Sequence, residues 1–263
     1  MSLQYHIKCK KGDIAQYVLL PGDPGRVELA ARCWDTAHKV VENRGFLTYT
    51  GQYKGVPISC TSTGIGGPST AIVIEELARI GARVFIRIGT CGTYQDHIGV
   101  GDLGIFTGAM RDDGASSYYA PLGYPAISSL RVTNALKQAA ELQGVRHHLG
   151  ITVSVDGHYA KRTIPGSSFN GFWQSSWAEY QNDLKRLNVS FSEMETSTIF
   201  VLSQIWGLEA GAIALVLANS FEATGKNGKF DPQKKFLHDP DRIVLMITVA
   251  SEAVRLMHSA ANR

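Results

Sequence analysis

Apolar positions in this chain fall into two alternating patterns. Short, nearly unbroken runs at residues 17–20, 56–60, 84–88, 150–155 and 211–219 read as strands. Residues 40–51 and 100–110 read as further strands, the first joined to 56–60 by a turn at 52–55. Between them lie helical stripes at 27–32, 71–80, 129–143, 177–187, 199–206 and 241–260. Gly81 and Gly144 stand where two of these stripes stop. Polar, glycine-containing stretches at 112–117, 160–177 and 221–238 read as loops, and the last two are of the kind that lies over a site. The alternation predicts an α/β fold: one domain over residues 1–263, with a mixed, largely parallel sheet covered on both faces.

Composition narrows the function classes. A net charge of +3 does not suggest a nucleic-acid binder and suits an anionic substrate. The four cysteines, Cys9, Cys33, Cys60 and Cys91, form no C-x-x-C pair, so neither a zinc site nor a disulfide scaffold is expected. Reduced thiols point to the cytoplasm. The N-terminus lacks a signal-peptide core, and no stretch is expected to be long and apolar enough to span a bilayer.

The densest chemistry lies between Cys60 and Gln95. Thr63-Gly64-Ile65-Gly66-Gly67-Pro68-Ser69 is a glycine turn between a strand and a helix, with Pro68 in the first helical turn and Ser69 and Thr70 available to cap it. Such a turn serves either close packing or a ligand, and its spacing matches neither the dinucleotide fingerprint nor a P-loop. In the next strand Arg87 sits among apolar residues, where a guanidinium needs an anionic partner. Thr90, Cys91 and Gly92 follow with hydroxyl and backbone donors, which makes the strand end a candidate oxyanion site. Pro21-Gly22-Asp23-Pro24-Gly25-Arg26 repeats the theme: a turn with close backbone approach at Gly22 and a cation at Arg26, or an ordinary turn with a solvated arginine.

Five motifs in order resemble the nucleoside phosphorylase family that includes uridine phosphorylases and hexameric purine nucleoside phosphorylases. They are Leu20 to Pro24, Ser62 to Ser69, Arg87 to Thr90, Asp113 to Ser116, and Glu193-Met194-Glu195. Residues 114–125 look most like the uridine phosphorylase branch. The resemblance implies a three-layer α/β sandwich around a partly barrel-like sheet. It implies phosphorolysis of a nucleoside, uridine or a related pyrimidine nucleoside, to ribose 1-phosphate and free base. Phosphate would be a co-substrate, with no cofactor. Some members hold a potassium ion at the dimer interface, but Gly45 stands where its carboxylate is expected, so no metal is expected here. Subunits would pair as dimers, three to a hexamer, with shared sites and no nucleic-acid or membrane partner.

By the same resemblance, Gly22, Arg26, Arg44, Arg87 and Thr90 bind phosphate, with Arg44 reaching a neighbouring subunit's site. His6, Thr90, Glu193, Met194 and Glu195 bind ribose, and Arg87 and Glu195 are the catalytic pair. His6 would approach the 5′-hydroxyl from the partner subunit; otherwise it is a solvated terminal histidine. The two glutamates are alternatively acids favoured at a helix N-terminus. Cys91, Gly92, His158, Arg162 and Asn219 are the expected base-binding set.

The base end departs from both branches. Arg162 and Ile164 stand where uridine phosphorylases carry Gln and Arg, and His158 replaces an aromatic residue. Asn219 stands where the purine branch has a proton-donating aspartate, and Ser220 where the uridine branch has an arginine. Alternatives are a purine nucleoside phosphorylase, a nucleosidase on the same fold, or a nucleoside-binding protein without turnover. Three arginines argue against a nucleosidase, because water needs no such set.

Overall fold

The computed structural model describes residues 2–161, 168–220 and 239–261. Its elements follow the expected alternation. Strands β1 (Tyr17–Leu20), β4 (Val56–Thr61), β5 (Val84–Thr93), β6 (Leu103–Asp112), β8 (His147–Val155) and β10 (Glu209–Asn219) match apolar runs. Helices α1 (Pro24–Arg32), α2 (Gly67–Ile80), α3 (Leu130–Leu142), α4 (Ser175–Arg186), α5 (Thr196–Ile205) and α6 (Pro240–Ala261) match the stripes.

Four strands differ from expectation. The stretch read as one strand at 40–51 is a hairpin of β2 (Thr36–Asn43) and β3 (Phe46–Tyr53). Arg44 (φ 54°) and Gly45 (φ 82°) form its two-residue turn, with both residues left-handed as the tight hairpin requires. An arginine in the first position hides that turn from a composition-based reading. Short β7 (Ala126–Ile127) and β9 (Phe191–Glu193) carry too few residues to show an alternation.

The strands form one sheet in the order β10-β6-β8-β9-β5-β1-β4-β3-β2, and a further β10–β5 pairing closes five of them into a barrel. Parallel pairs (β1 with β4 and β5, β5 with β10, β6 with β8, β8 with β9) mix with antiparallel ones, including β5–β9 and β6–β10. Alternate residues of β1 face opposite layers. Leu19 packs with Val27, Leu136 and Val254 of α1, α3 and α6, while Val18 and Leu20 pack with Ile74, Leu77 and Phe200 of α2 and α5. That makes three layers, helix–sheet–helix, with strands apolar on both faces.

Helix α6 corrects one expectation. Its 22 residues, with a mean hydropathy of 1.4 over an 18-residue window, make it long and apolar enough to cross a membrane. Here it is a core helix: half of that window is buried, and Met246, Ile247, Ala250 and Val254 lie in the core beside α3.

Strand β1 ends at Leu20, which pairs with Arg87, while β5 and β10 run on beside each other to their carboxyl ends at Thr93 and Asn219. Ligands of parallel sheets gather at such ends. The two glycine turns meet there. Thr63 N donates to Pro21 O at 2.8 Å and Gly64 N to Gly22 O at 3.1 Å. A Cβ on Gly22 would lie 3.0 Å from Gly64 O, so the close approach needs glycine.

Candidate active site

A cavity of about 510 Å³ opens at these strand ends. Gly22, Arg26, Arg87 and Thr90 line one part of it, and Glu193, Met194 and Glu195 adjoin them. Cys91, Gly92 and His158 line the remainder together with Ser192, Leu217, Ala218 and Ser220.

Arg87 is the centre. It is only 5% exposed, and its side chain runs along β5 over Gly89. Its Nε lies 2.8 Å from Glu193 Oε2, and its Nη2 pairs with Glu195 Oε2. Burial works against the Arg87 charge, but Glu195 and Glu193 outweigh it and raise its pKa above the ordinary arginine value. Nη1 is buried without a hydrogen-bond partner among the described residues. An unsatisfied charged donor beside a cavity is costly unless an anion completes it.

The two glutamates do different work. Glu193, at the end of β9, accepts from Ser154 Oγ at 2.5 Å, Glu195 N at 2.8 Å and Thr196 N at 2.9 Å. It caps the N-terminus of α5 and holds Arg87 at the same time. Glu195 Oε1 accepts from Gly66 N at 2.6 Å, so the glycine turn is tied to the acid rather than to a side-chain cap of its own. Ser69 and Thr70 do not cap α2: Ser69 Oγ donates to Thr63 O at 2.5 Å, and Thr70 Oγ1 is buried without a partner among the described residues. Asp113 accepts from Ser116 and Ser197 and so fastens its motif to the start of α5.

Arg26 faces Arg87 across the cavity wall and donates to Ile88 O at 3.4 Å. Burial, and after it the Arg87 charge, lowers its pKa. Two arginines therefore balance the two glutamates, and a further anion would relieve the repulsion between the cations.

Three expected residues lie apart from this cavity. Asn219 is buried outside the lining, with Nδ2 donating to Gln95 O at 3.5 Å. A bulge in β10 between Val216 and Ala218 explains the difference, because the extra residue, Leu217, changes which side chains face the cavity. Arg44 is exposed at the tip of the β2–β3 hairpin, 5.6 Å from the Tyr5 ring centroid. His6 packs edge-on against the same ring, with its Nδ1 2.7 Å from Glu76 Oε1. His6 and Arg44 are thus neighbours of each other, not of this chain's own cavity. Arg162 lies outside the described residues. The lining also includes Asp23, Gly64 and Ile65, which lie in the motifs without an assigned role, and Ser192, Leu217 and Ala218, which the motifs do not contain. The glycines' turn and the polar step before Glu193 were the available signals.

This arrangement of arginines, acids and glycine turns at parallel strand ends agrees with what the chain resembles. The family model of the Phosphorylase superfamily matches residues 16–240. The chain belongs to the phosphorylase superfamily. Its barrel-centred sandwich is the nucleoside phosphorylase fold expected from the motifs. Among its relatives, a uridine phosphorylase of Thermococcus kodakarensis is 48% identical over 255 residues, covering 97% of this chain and 87% of that protein. A uridine phosphorylase of Treponema pallidum is 41% identical over 254 residues, covering 97% and 94%. A guanosine phosphorylase of Halorubrum lacusprofundi is 35% identical over 233 residues, covering 89% and 90%.

Proposed function

We propose that this superfamily member cleaves uridine, or a related pyrimidine nucleoside, by phosphorolysis, as a pentosyltransferase of nucleoside salvage. The observation that carries the reading is Arg87: a buried guanidinium, held by two acids, with a free Nη1 beside a cavity that Arg26 and Gly22 share. The relatives from Thermococcus kodakarensis and Treponema pallidum are named as uridine phosphorylases.

Phosphate binds between Arg87, Arg26, the Gly22 amide and the Thr90 hydroxyl. One oxygen of the hydrogen phosphate forms the bond to C1′ as the glycosidic bond breaks, and the base leaves with the bonding pair and takes up, overall, the proton that the phosphate gives up. The sugar carries positive charge in the transition state, and the phosphate anion stabilises it in place. Glu195 accepts the ribose 2′- and 3′-hydroxyls while its other oxygen stays on Gly66 N. Met194 packs on the sugar's apolar face. Glu193 acts here as a positioning residue, since its oxygens are taken by Ser154, two backbone amides and Arg87. Cys91, Gly92 and His158 border the base. Inorganic phosphate is the co-substrate, and no cofactor takes part.

The pairing of His6 and Arg44 around Tyr5, outside their own cavity, supports a dimer-based assembly, of hexameric size in this reading. In it each subunit lends both residues to the next subunit's 5′-hydroxyl and phosphate. A second reading, purine nucleoside phosphorolysis, has its own support: small Ser192 and Ser220 at the base end, and the guanosine phosphorylase relative.

The test is a screen of uridine, thymidine, deoxyuridine, inosine, guanosine and adenosine, with and without phosphate, following free base by chromatography. Phosphate-dependent uracil release is expected. Purine release alone favours the second reading, and release without phosphate, or none at all, overturns phosphorolysis.

A further inference from the structure

The segment that leaves β8 at Val155 brings His158 to the cavity lining, and it is tied down on both sides of that residue. Before His158, Asp156 Oδ2 accepts from Gly114 N at 2.8 Å. After it, Lys161 Nζ lies 3.0 and 2.8 Å from the two oxygens of Asp112, the last residue of β6. The same ammonium sits 4.4 Å from the ring centroid of Tyr180 on α4. Tyr180 OH donates to Asp112 Oδ2 at 2.8 Å, and Gln181 Nε2 donates to Lys161 O at 3.0 Å. Burial, and after it the Asp112 carboxylate, raises the Tyr180 pKa, so its hydroxyl remains a donor.

Lys161 itself has φ 62°, a left-handed conformation that a lysine adopts only where its surroundings hold it. Its ammonium is part-exposed, so the ion pair alone is a modest restraint. Shared acceptors make the four groups one network, which restrains more than a lone pair. Lys161 does not line the cavity, and nothing in the reaction needs its charge.

We propose that Lys161, gripped by Asp112, Tyr180 and Gln181, is a latch that fixes His158 against the base end of the cavity. The latch sets affinity for the nucleoside and leaves affinity for phosphate alone. It rests on the reading of this cavity as a nucleoside site. Lys161 is a positioning residue, acting through His158, and the nearby Asp112–Asp113 step joins the latch to the anchor of α5.

Two variants test it. Lys161→Met keeps the apolar stem over the Tyr180 ring but removes the charge, and Lys161→Arg keeps the charge. Lys161→Met should raise KM for uridine by roughly fivefold, a modest network's worth, with kcat and KM for phosphate within about twofold of the parent. Lys161→Arg should recover most of the loss. In a His158→Ala background, Lys161→Met should add nothing. A parallel rise in the phosphate KM, or full additivity with His158→Ala, overturns the latch. Hydrogen exchange reads the same device without turnover. The peptide covering residues 156–161 should exchange faster in Lys161→Met at unchanged melting temperature. Unchanged exchange sinks the latch whether or not the protein cleaves nucleosides. Absence of phosphate-dependent base release by the parent protein sinks the nucleoside reading instead.

Discussion

The two ends of the cavity are built on different physics. At one end Arg87, Glu193 and Glu195 are each no more than 5% exposed, and each carboxylate is bound to the cation and to backbone amides. Removing any member leaves an uncompensated buried charge, so the geometry is strongly determined. At the other end stand small hydroxyls, an imidazole and the bulged Leu217, and the imidazole is held through a part-exposed lysine. Contacts of that kind are individually weak. One end can therefore change its residues while the other keeps its grip. Relatives named for a pyrimidine and for a purine nucleoside both match this chain over most of its length, as that division allows.

The largest effect is expected from Arg87→Met. It removes the anion fork and leaves two buried acids without their cation. Phosphorolysis should fall by about 10³-fold or more, since the lost contact acts on charge that develops in the transition state. Stability should fall too, by roughly 3–5 kcal/mol, as for other broken buried pairs. Steady-state kinetics with a thermal melt check both. A folded variant with unchanged phosphate dependence removes Arg87 from the site and ends the contrast between the two regions.

Gly89→Ala asks whether placement matters as much as charge. The new Cβ would lie 3.0 Å from Cζ and Nη2 of Arg87. The guanidinium must shift by a few tenths of an ångström while every charge stays. We expect kcat/KM to drop roughly tenfold, mostly through the phosphate KM, because misplacement at a reacting centre is costly. A titration of phosphate at saturating uridine gives the answer, and a change confined to the uridine KM would place Arg87 against the wrong substrate.

The same division governs what the sequence discloses. An arginine in an unbroken apolar strand is legible because its burial demands an anion, and the Glu-Met-Glu step supplied two. The layers were legible for a similar reason: β1, β5 and β10 are apolar on both faces, so they had to be covered twice. What escaped was whatever depends on a local change of register. The Arg44–Gly45 turn splits a run of strand-like residues with no Asn-Gly signal. The bulge at Leu217 turns Asn219 away from the cavity and admits Ala218 and Ser220, although the residue pattern there is uniformly apolar. Glu193 was read as a ligand contact and does line the cavity, and what the pattern does not show is that Ser154, two backbone amides and Arg87 also engage its oxygens. Sequence pattern reports burial well, and it reports hydrogen-bond partners far apart in the chain poorly.

The smallest effect should come from Ser220→Ala. Ser220 lines the base end and its N–H donates to Thr93 O at 2.9 Å, a bond that alanine keeps. Only the hydroxyl is lost, and no charge is stranded. A hydroxyl that hydrogen-bonds a substrate is worth about 0.5–1.5 kcal/mol net, or roughly two- to tenfold in affinity. The uridine KM should rise within that range, with the phosphate KM and the melting temperature unchanged. The ratio of uridine to guanosine turnover should move as well, since the hydroxyl meets the base and not the ribose they share. If the phosphate KM rose in step with the uridine KM, the two ends would be coupled. The charged network around Arg87 would then reach to the β10 terminus. If neither moved, Ser220 would border the cavity without reading the base, and discrimination would rest on the residues that His158 and its latch hold in place.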